Sequence, residues 1–407
     1  MVRAIGLAAA AASLLAACTS SGSTTPKSSA PAGGGGATSS TPALTGSPIK
    51  IGLIVELTGA QASSGDQGGT VAPAWAKWVN ANGGINGHPV EVVQADDGGD
   101  PAKAQAAEKK LVDQDNVLAI VVATDTLVSV YDGDAIKSGV AVVGGTSNGA
   151  DWFQKAGMFA PTTDVVSGVI DQMLVAKQVA HATHFANLYC AEAAACAQAT
   201  GLQQPQAAKF GLKYSAAAVS ATATSYTAQC LQLQQSGADY LQLNIAAAVG
   251  AKFIQDCQAQ NYNPTWGTSE QAIGPELLKV KDATLYGPAY IFPSVASSPA
   301  VQTFVDAMTK YASDNNWREG SASYTWVGLE LIRKALASAG ASPTRADVMT
   351  GLNSIKDEDL GGLLPNKITF TAGKPVPFGG HPCAFVVGIK DGKTIAPNGL
   401  TPLCPTA

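Results

Sequence analysis

At 407 residues, 46% hydrophobic and 14% charged, the chain is long enough for two domains and a sizeable apolar core. Its net charge of −5, with no basic patch interleaved with aromatics, excludes a general nucleic-acid binder. Seven cysteines fit an exported compartment, which permits disulfides.

The N-terminus agrees with that compartment. In MVRAIGLAAAAASLLAACTS, Arg3 precedes an apolar run and then small residues, the pattern of a secretory signal and too short for an ordinary membrane span. Leu15-Ala16-Ala17-Cys18 resembles the bacterial lipobox, in which the signal, here residues 1–17, is cut before a cysteine whose sulfur takes a diacylglycerol. The alternative is a plain signal with a chance cysteine. A lipidated Cys18 implies a mature protein tethered to the outer face of the cytoplasmic membrane. Residues 18–47 are, beyond the cysteine, Ser, Thr, Gly, Pro and Ala with one Lys and one Leu, a composition that buries too little apolar surface to fold and reads as a flexible tether.

From Ile49 onward, strand and helix patterns alternate. IKIGLIV is a short β-branched run, TVAPAWAKWVNANGG has helical spacing and stops at Gly83-Gly84, and HPVEVVQA is a strand. PAKAQAAEKKLVDQD is an amphipathic helix, VLAIVVAT a nearly continuous apolar strand of the kind covered on both faces, VSVYDGDAIKSG a helix and VAVVGG a strand. This βαβα rhythm predicts a doubly wound parallel sheet. A second set follows, with strands THFANLY, KYSAAAV, ADYLQLN and ATLYGPAYIF and helices near 164–180, 192–210, 222–236 and 248–260. A mostly helical stretch over about 298–355 precedes two terminal strands, NKITFT and CAFVVGI.

With Cys18 set aside, Cys190, Cys196, Cys230, Cys257, Cys383 and Cys404 allow 15 pairings. Proximity favours Cys190–Cys196, Cys230–Cys257 and Cys383–Cys404, the second joining the helices that flank ADYLQLN. No CxxC pair occurs, which argues against zinc or redox chemistry.

Asp96, Asp97 and Asp100 sit among glycines in QADDGGDPAKA. They lack the alternate-position ligands and distal Glu of a calcium loop. Asp100-Pro101 reads as a helix N-cap followed by proline at the first helical position, and Gly98 and Gly99 let the backbone turn.

Taken together, IKIGLIVELTGAQASSGDQGG, NANGGINGHPVEVVQADDGGDPAKAQAAEKKLV and VLAIVV resemble the type I periplasmic binding proteins of the leucine/isoleucine/valine-binding family, the extracytoplasmic receptors of ABC importers. The similarity runs over roughly 48–395 and is densest in the first lobe. It implies an α/β fold of two Rossmann-like lobes joined by three crossovers, near 162, 293 and 361. Lobe 1 would comprise 48–162 plus 294–361, and lobe 2 would comprise 163–293 plus 362–407. It also implies a small ligand between the lobes, hinge closure around it, delivery to a permease, and no cofactor or metal.

The family's carboxylate-binding hydroxyls and backbone N–H groups map onto Thr126 and onto Gly145, Thr146 and Ser147. Asp125 departs from the family's Ser-rich turn; it faces either the ligand or solvent as an N-cap. Glu270, in TWGTSEQAIG, matches the acid that the family offers to an α-ammonium, or else is an acid at a helix start. Trp152 walls the pocket or packs a lobe surface, and Tyr189 reaches the cleft or packs its strand. The loop after it, CAEAAAC, lacks the family's usual aromatic. Ser63, Ser64 and Gln67 also belong to a loop that faces the cleft in this architecture.

Two other classes remain open. Gly145-Thr146-Ser147-Asn148-Gly149 spells the G-x-S-x-G nucleophile elbow of a hydrolase, with Ser147 as nucleophile and His381 as a late base. The following ADWFQKAGMFAP is a poor nucleophile helix, because it is short and Gly/Pro-bounded. A ligand-sensing receptor not coupled to transport is the other alternative.

Overall fold

The computed structural model describes residues 44–59, 62, 66–123, 127, 130, 133–147, 149–192, 194–318, 320–374 and 382–405. Its first sheet holds β1 (Ile49–Val55), β2 (Val90–Asp96), β3 (Ala119–Val122), β4 (Ala141–Gly144) and β5 (Met158–Phe159). All are parallel, in the order β2-β1-β3-β4-β5. Every residue of β3 and β4 is buried, as an apolar run covered on both faces must be. The covering helices include α1 (Gln67–Ala81), α2 (Pro101–Lys109), α3 (Gly133–Lys137) and α4 (Asp151–Gln154).

The second sheet holds β6 (His184–Cys190), β7 (Lys213–Val219), β8 (Tyr240–Asn244), β9 (Thr265–Gly267), β10 (Leu285–Ala289), β11 (Phe385–Lys390) and β12 (Lys393–Ile395), ordered β12-β11-β10-β9-β8-β6-β7. Its helices are α5 (Val165–Leu174), α6 (Ala194–Lys209), α7 (Thr227–Ser236), α8 (Ala247–Gln258) and α9 (Pro275–Leu278). Strands β6 to β10 repeat the parallel order of the first sheet, while β11 and β12 add antiparallel strands at one edge. In each sheet the order reverses beside the first strand, at β1/β3 and at β6/β8. Open α/β sheets bind ligands beyond the carboxyl ends of strands at such a reversal.

After β10 the chain returns to the first sheet as α10 (Pro299–Tyr311), α11 (Ala322–Ala335) and α12 (Arg345–Asn353). Phe304 packs edge-on to Trp326, and Trp75 Nε1 donates to Glu330 Oε1 at 2.7 Å. Arg345 donates to the carbonyls of Val117, Ser138 and Val112, which pins α12 to the sheet. The chain then crosses again to supply β11. Two crossovers touch where Phe292 N donates to Leu363 O at 3.0 Å.

The three disulfides are Cys190–Cys196, Cys230–Cys257 and Cys383–Cys404. The second joins α7 to α8, which flank β8. The aspartate run shapes backbone. Asp100 caps α2 by accepting from Ala102 N and Lys103 N. Asp96 ties down the loop after β1, accepting from Leu57 N, Thr58 N, Thr58 Oγ1 and Gly98 N.

Two expectations change, and two short strands carry no signal. NKITFT is not a sheet strand: Ile368 makes only an isolated bridge with Glu358. Its apolar side chains go into the core instead, with Phe370 edge-on to Phe159 at 5.1 Å. An alternating apolar pattern records which side is buried, not whether a ladder partner exists. Within VSVYDGDAIKSG the helix covers Gly133–Lys137, several earlier positions lying outside the described residues. The short strands β5 and β12 carry too few residues to show a period.

One glycine bears on the site. A side chain on Gly287 in β10 would collide with the backbone of Thr268 and Ser269, which lead directly to Glu270. Gly287→Ala is expected to destabilise the fold by about 1–3 kcal/mol, as overpacking does, and to weaken ligand binding by displacing that loop. Denaturant unfolding and a binding titration of the variant check both effects.

Candidate ligand-binding site

In both sheets, turns beyond the carboxyl ends of the strands carry polar groups. On the first sheet, Gly145 N donates to Val122 O at 2.7 Å. A Cβ at Gly145 would meet the carbonyls of Val122 and Ala123, so close approach of backbone requires glycine there. Thr146 Oγ1 donates to Ala123 O at 3.2 Å. Ser147 is fully buried, with its hydroxyl 2.6 Å from that of Thr162. Gln67, at the start of α1, accepts from Ser321 N and Ser321 Oγ, joining the loop after β1 to the start of α11. Asp125, Thr126, Ser63 and Ser64 lie outside the described residues.

The hydrolase arrangement has no support in this geometry. The Ser147 hydroxyl meets a threonine hydroxyl, not a base. His88 Nδ1 is engaged by Ser47 O, and His184 by Ser236 O and Ser215 Oγ. His381 lies outside the described residues. Among the described residues no cluster of three His, Cys, Asp or Glu side chains is placed to hold a metal.

On the second sheet, Tyr189 is half-buried near the carboxyl end of β6, in register with Ala218 and Asn244. Beyond it the Cys190–Cys196 disulfide closes the following loop. Glu192 accepts from Ser220 Oγ and Ala221 N, which fastens that loop to the one after β7. Trp152 is fully buried on α4, and its Nε1 has no hydrogen-bond partner.

Glu270 follows β9 of the second sheet and reaches a helix packed on the first: Ser323 Oγ, on α11, donates to its Oε1 at 3.4 Å. Its Oε2 has no partner. The hydroxyl of Tyr324, also on α11, lies close enough to influence the carboxyl, but its geometry closes no hydrogen bond. Burial pushes the Glu270 carboxyl well above the usual carboxylate range, against the weaker pull of Ser323 and Tyr324. A narrow recess of about 10 Å³ opens beside it, lined among others by Ile273, Pro293, Arg318 and Gly320. That is room for about one water-sized group. Gln67 belongs to the loop that the sequence places at the cleft, whereas nothing local distinguishes Ser321, Ser323 and Tyr324; only the return of α11 to the first sheet brings them here.

A larger groove of about 410 Å³ lies on the outer helices, between Trp78, Trp326 and Leu360. Its charges are already spent on each other, Arg333 on Glu330 at 2.6 Å and Lys334 on Glu358 at 2.5 Å. Volume there is not matched by a free polar group, whereas the small recess has one.

A second carboxyl is also unpartnered. Asp171 on α5 is fully buried, neither oxygen has a hydrogen bond, and burial with nearby Asp164 raises its pKa well above the usual 3.8. A raised carboxyl pKa means that the fold binds the proton more tightly than the unfolded chain does. Its penalty therefore grows as pH rises from about 3.8 through the folded-state value, and is absent below. Asp171→Asn is expected to stabilise the protein by about 1–3 kcal/mol at neutral pH and by little in acid. Thermal unfolding of both proteins across pH checks this.

A sequence model described as periplasmic binding protein matches residues 48–393. An amino acid binding protein of Pseudomonas aeruginosa is 25% identical over 323 residues, covering 75% of this chain and 83% of its own. Two solved structures share the fold. One is a branched-chain amino acid transporter substrate-binding protein from Streptococcus pneumoniae in complex with isoleucine. It has a TM-score of 0.67 and 18% identity, over 85% of this chain and 97% of that one. The other is an ABC transporter solute-binding protein from R. palustris in complex with 4-hydroxybenzoate. It has a TM-score of 0.67 and 17% identity, over 88% and 97%.

Proposed function

Since the chain belongs to the periplasmic binding protein family, we propose that this extracytoplasmic ABC-type solute receptor binds an amino acid or close polar relative and delivers it to a permease. The family is one of non-enzymatic solute receptors. The observation that carries the ligand class is Glu270, a buried carboxyl with one free oxygen that meets α11 from across the cleft. A buried carboxyl so placed suits a ligand's ammonium group. By the resemblance, the turn at Gly145, Thr146 and Ser147, with Thr126, is assigned the ligand's carboxylate end, while Asp125 is an acid that would repel a carboxylate if it faced the ligand; Gly145 N and Thr146 N already donate to Val122 O and Ala123 O. Trp152 and Tyr189 are assigned to the walls.

In this reading, 48–162 with 294–361 form one lobe and 163–293 with 362–407 the other. Ligand favours closure because only the closed form contacts it from both sides. Cys18 carries the lipid that keeps the receptor at the membrane; residues 18–47 are its tether.

The test is thermal unfolding of a soluble form lacking residues 1–18 against amino acids, amides and small organic acids including 4-hydroxybenzoate. A ligand of the folded state at a hundredfold excess over its dissociation constant adds about 2.7 kcal/mol. A shift with one amino acid supports the reading. A shift only with acids that lack an ammonium keeps the receptor and removes Glu270 as the ammonium's partner.

A further inference from the structure

Glu270 sits in surroundings that do not support a carboxylate. It is 8% exposed, its Oε2 has no partner, and its Oε1 has one long contact to a neutral hydroxyl. An ionised carboxylate with one oxygen stranded in a buried site is among the most costly arrangements in a protein. Such a group takes up a proton instead.

Among the described residues, no charged group pairs with it. From α11 come Ser323 and Tyr324, both neutral, and the burial of Tyr324 holds its hydroxyl protonated. From the segment ahead of α11 comes Arg318, which lines the same recess, yet no ion pair joins it to Glu270. Its guanidinium lies over the Trp317 ring, 4.0 Å from the centroid. The crossover contributes Pro293 and Ser294, while β11 and β12 contribute Val387 and Thr394; none of these titrates.

We propose that Glu270 stands neutral in the unliganded receptor and gives up its proton to bulk solvent when a cationic ligand group enters the recess, so that each amino acid bound releases one proton. The inference rests on the amino acid reading above and adds its regulation. The balance is simple: the carboxylic acid and the ligand's ammonium become a carboxylate–ammonium pair plus one proton in the buffer. The new partner supplies what the empty site lacks, a charge and hydrogen bonds for the stranded oxygen. Ligand uptake is then weaker in acid. The association constant rises up to tenfold per pH unit over the range in which the free receptor holds the proton.

Two measurements test it. The first is titration calorimetry with leucine, isoleucine and valine, run at one pH in phosphate and in Tris, whose ionisation enthalpies differ. About one proton released per ligand, lost in Glu270→Gln, is the expected result. Binding with no buffer-dependent heat overturns the proposal and leaves the receptor reading intact. So does binding of 4-hydroxybenzoate with no binding of any amino acid. The second needs no ligand. An infrared difference spectrum at neutral pH between the wild-type protein and Glu270→Gln is expected to show the carbonyl band of a protonated acid. Its absence overturns the proposal whatever ligand is found.

Discussion

Glu270→Ala is expected to weaken amino acid binding by about thirtyfold to several thousandfold, equivalent to about 2–5 kcal/mol. The size follows from burial. In the complex the ligand's ammonium is desolvated at the same time as the carboxyl, and removing one partner leaves the other unpaired. The same substitution is not expected to destabilise the empty protein. The Glu270 carboxyl has one long hydrogen bond there and an unpartnered oxygen, so the fold loses little when it goes. Isothermal titration gives the affinity and thermal unfolding gives the stability. Loss of both together would mean that Glu270 holds the cleft in shape rather than binding the ligand, and unchanged affinity would remove its role altogether.

Removing the Cys230–Cys257 disulfide by a double alanine substitution is expected to cost about 3.5 kcal/mol. This is the loop-closure entropy returned to the unfolded chain by a bridge of sequence separation 27. Both sulfurs are fully buried between α7 and α8, so a packing loss adds to it. The same relation gives roughly 2 kcal/mol for Cys190–Cys196, with separation 6. The informative quantity is the order. Equilibrium unfolding of the two double variants should rank Cys230/Cys257 as the more costly. The reverse order would mean that the short bridge holds native structure at the cleft rim, a role that chain entropy does not describe.

The legible parts of this protein are those in which a residue's type reflects its immediate neighbours in the chain. Asp100-Pro101 was readable as a helix start because an N-cap is made within three residues, and Asp100 does accept from Ala102 and Lys103. The strands from IKIGLIV to AVVG were readable because two-sided burial leaves continuous apolar runs. The disulfides followed from nearness along the chain, which here coincides with nearness in space. NKITFT misled for the opposite reason. Its alternation records burial, while a ladder depends on a partner strand, and Ile368 has only an isolated bridge to Glu358.

By itself, then, the sequence determined the alternating α/β rhythm, the turn chemistry of the aspartate run and the family resemblance, and it favoured, without fixing, the three cysteine pairs that the structure forms. Each is carried by local patterning or by neighbours in the chain. The tertiary structure alone decided which hydroxyls meet Glu270 and that one of its oxygens is left without a partner. It alone decided that Ser147 is already held by Thr162. The contacts of Glu270 with Ser323, 53 residues away, and of Gln67 with Ser321, 254 residues away, exist because α11 returns to the first sheet after the chain has built the second. Burial and partnering are properties of that return path, and no residue's type announces them in advance.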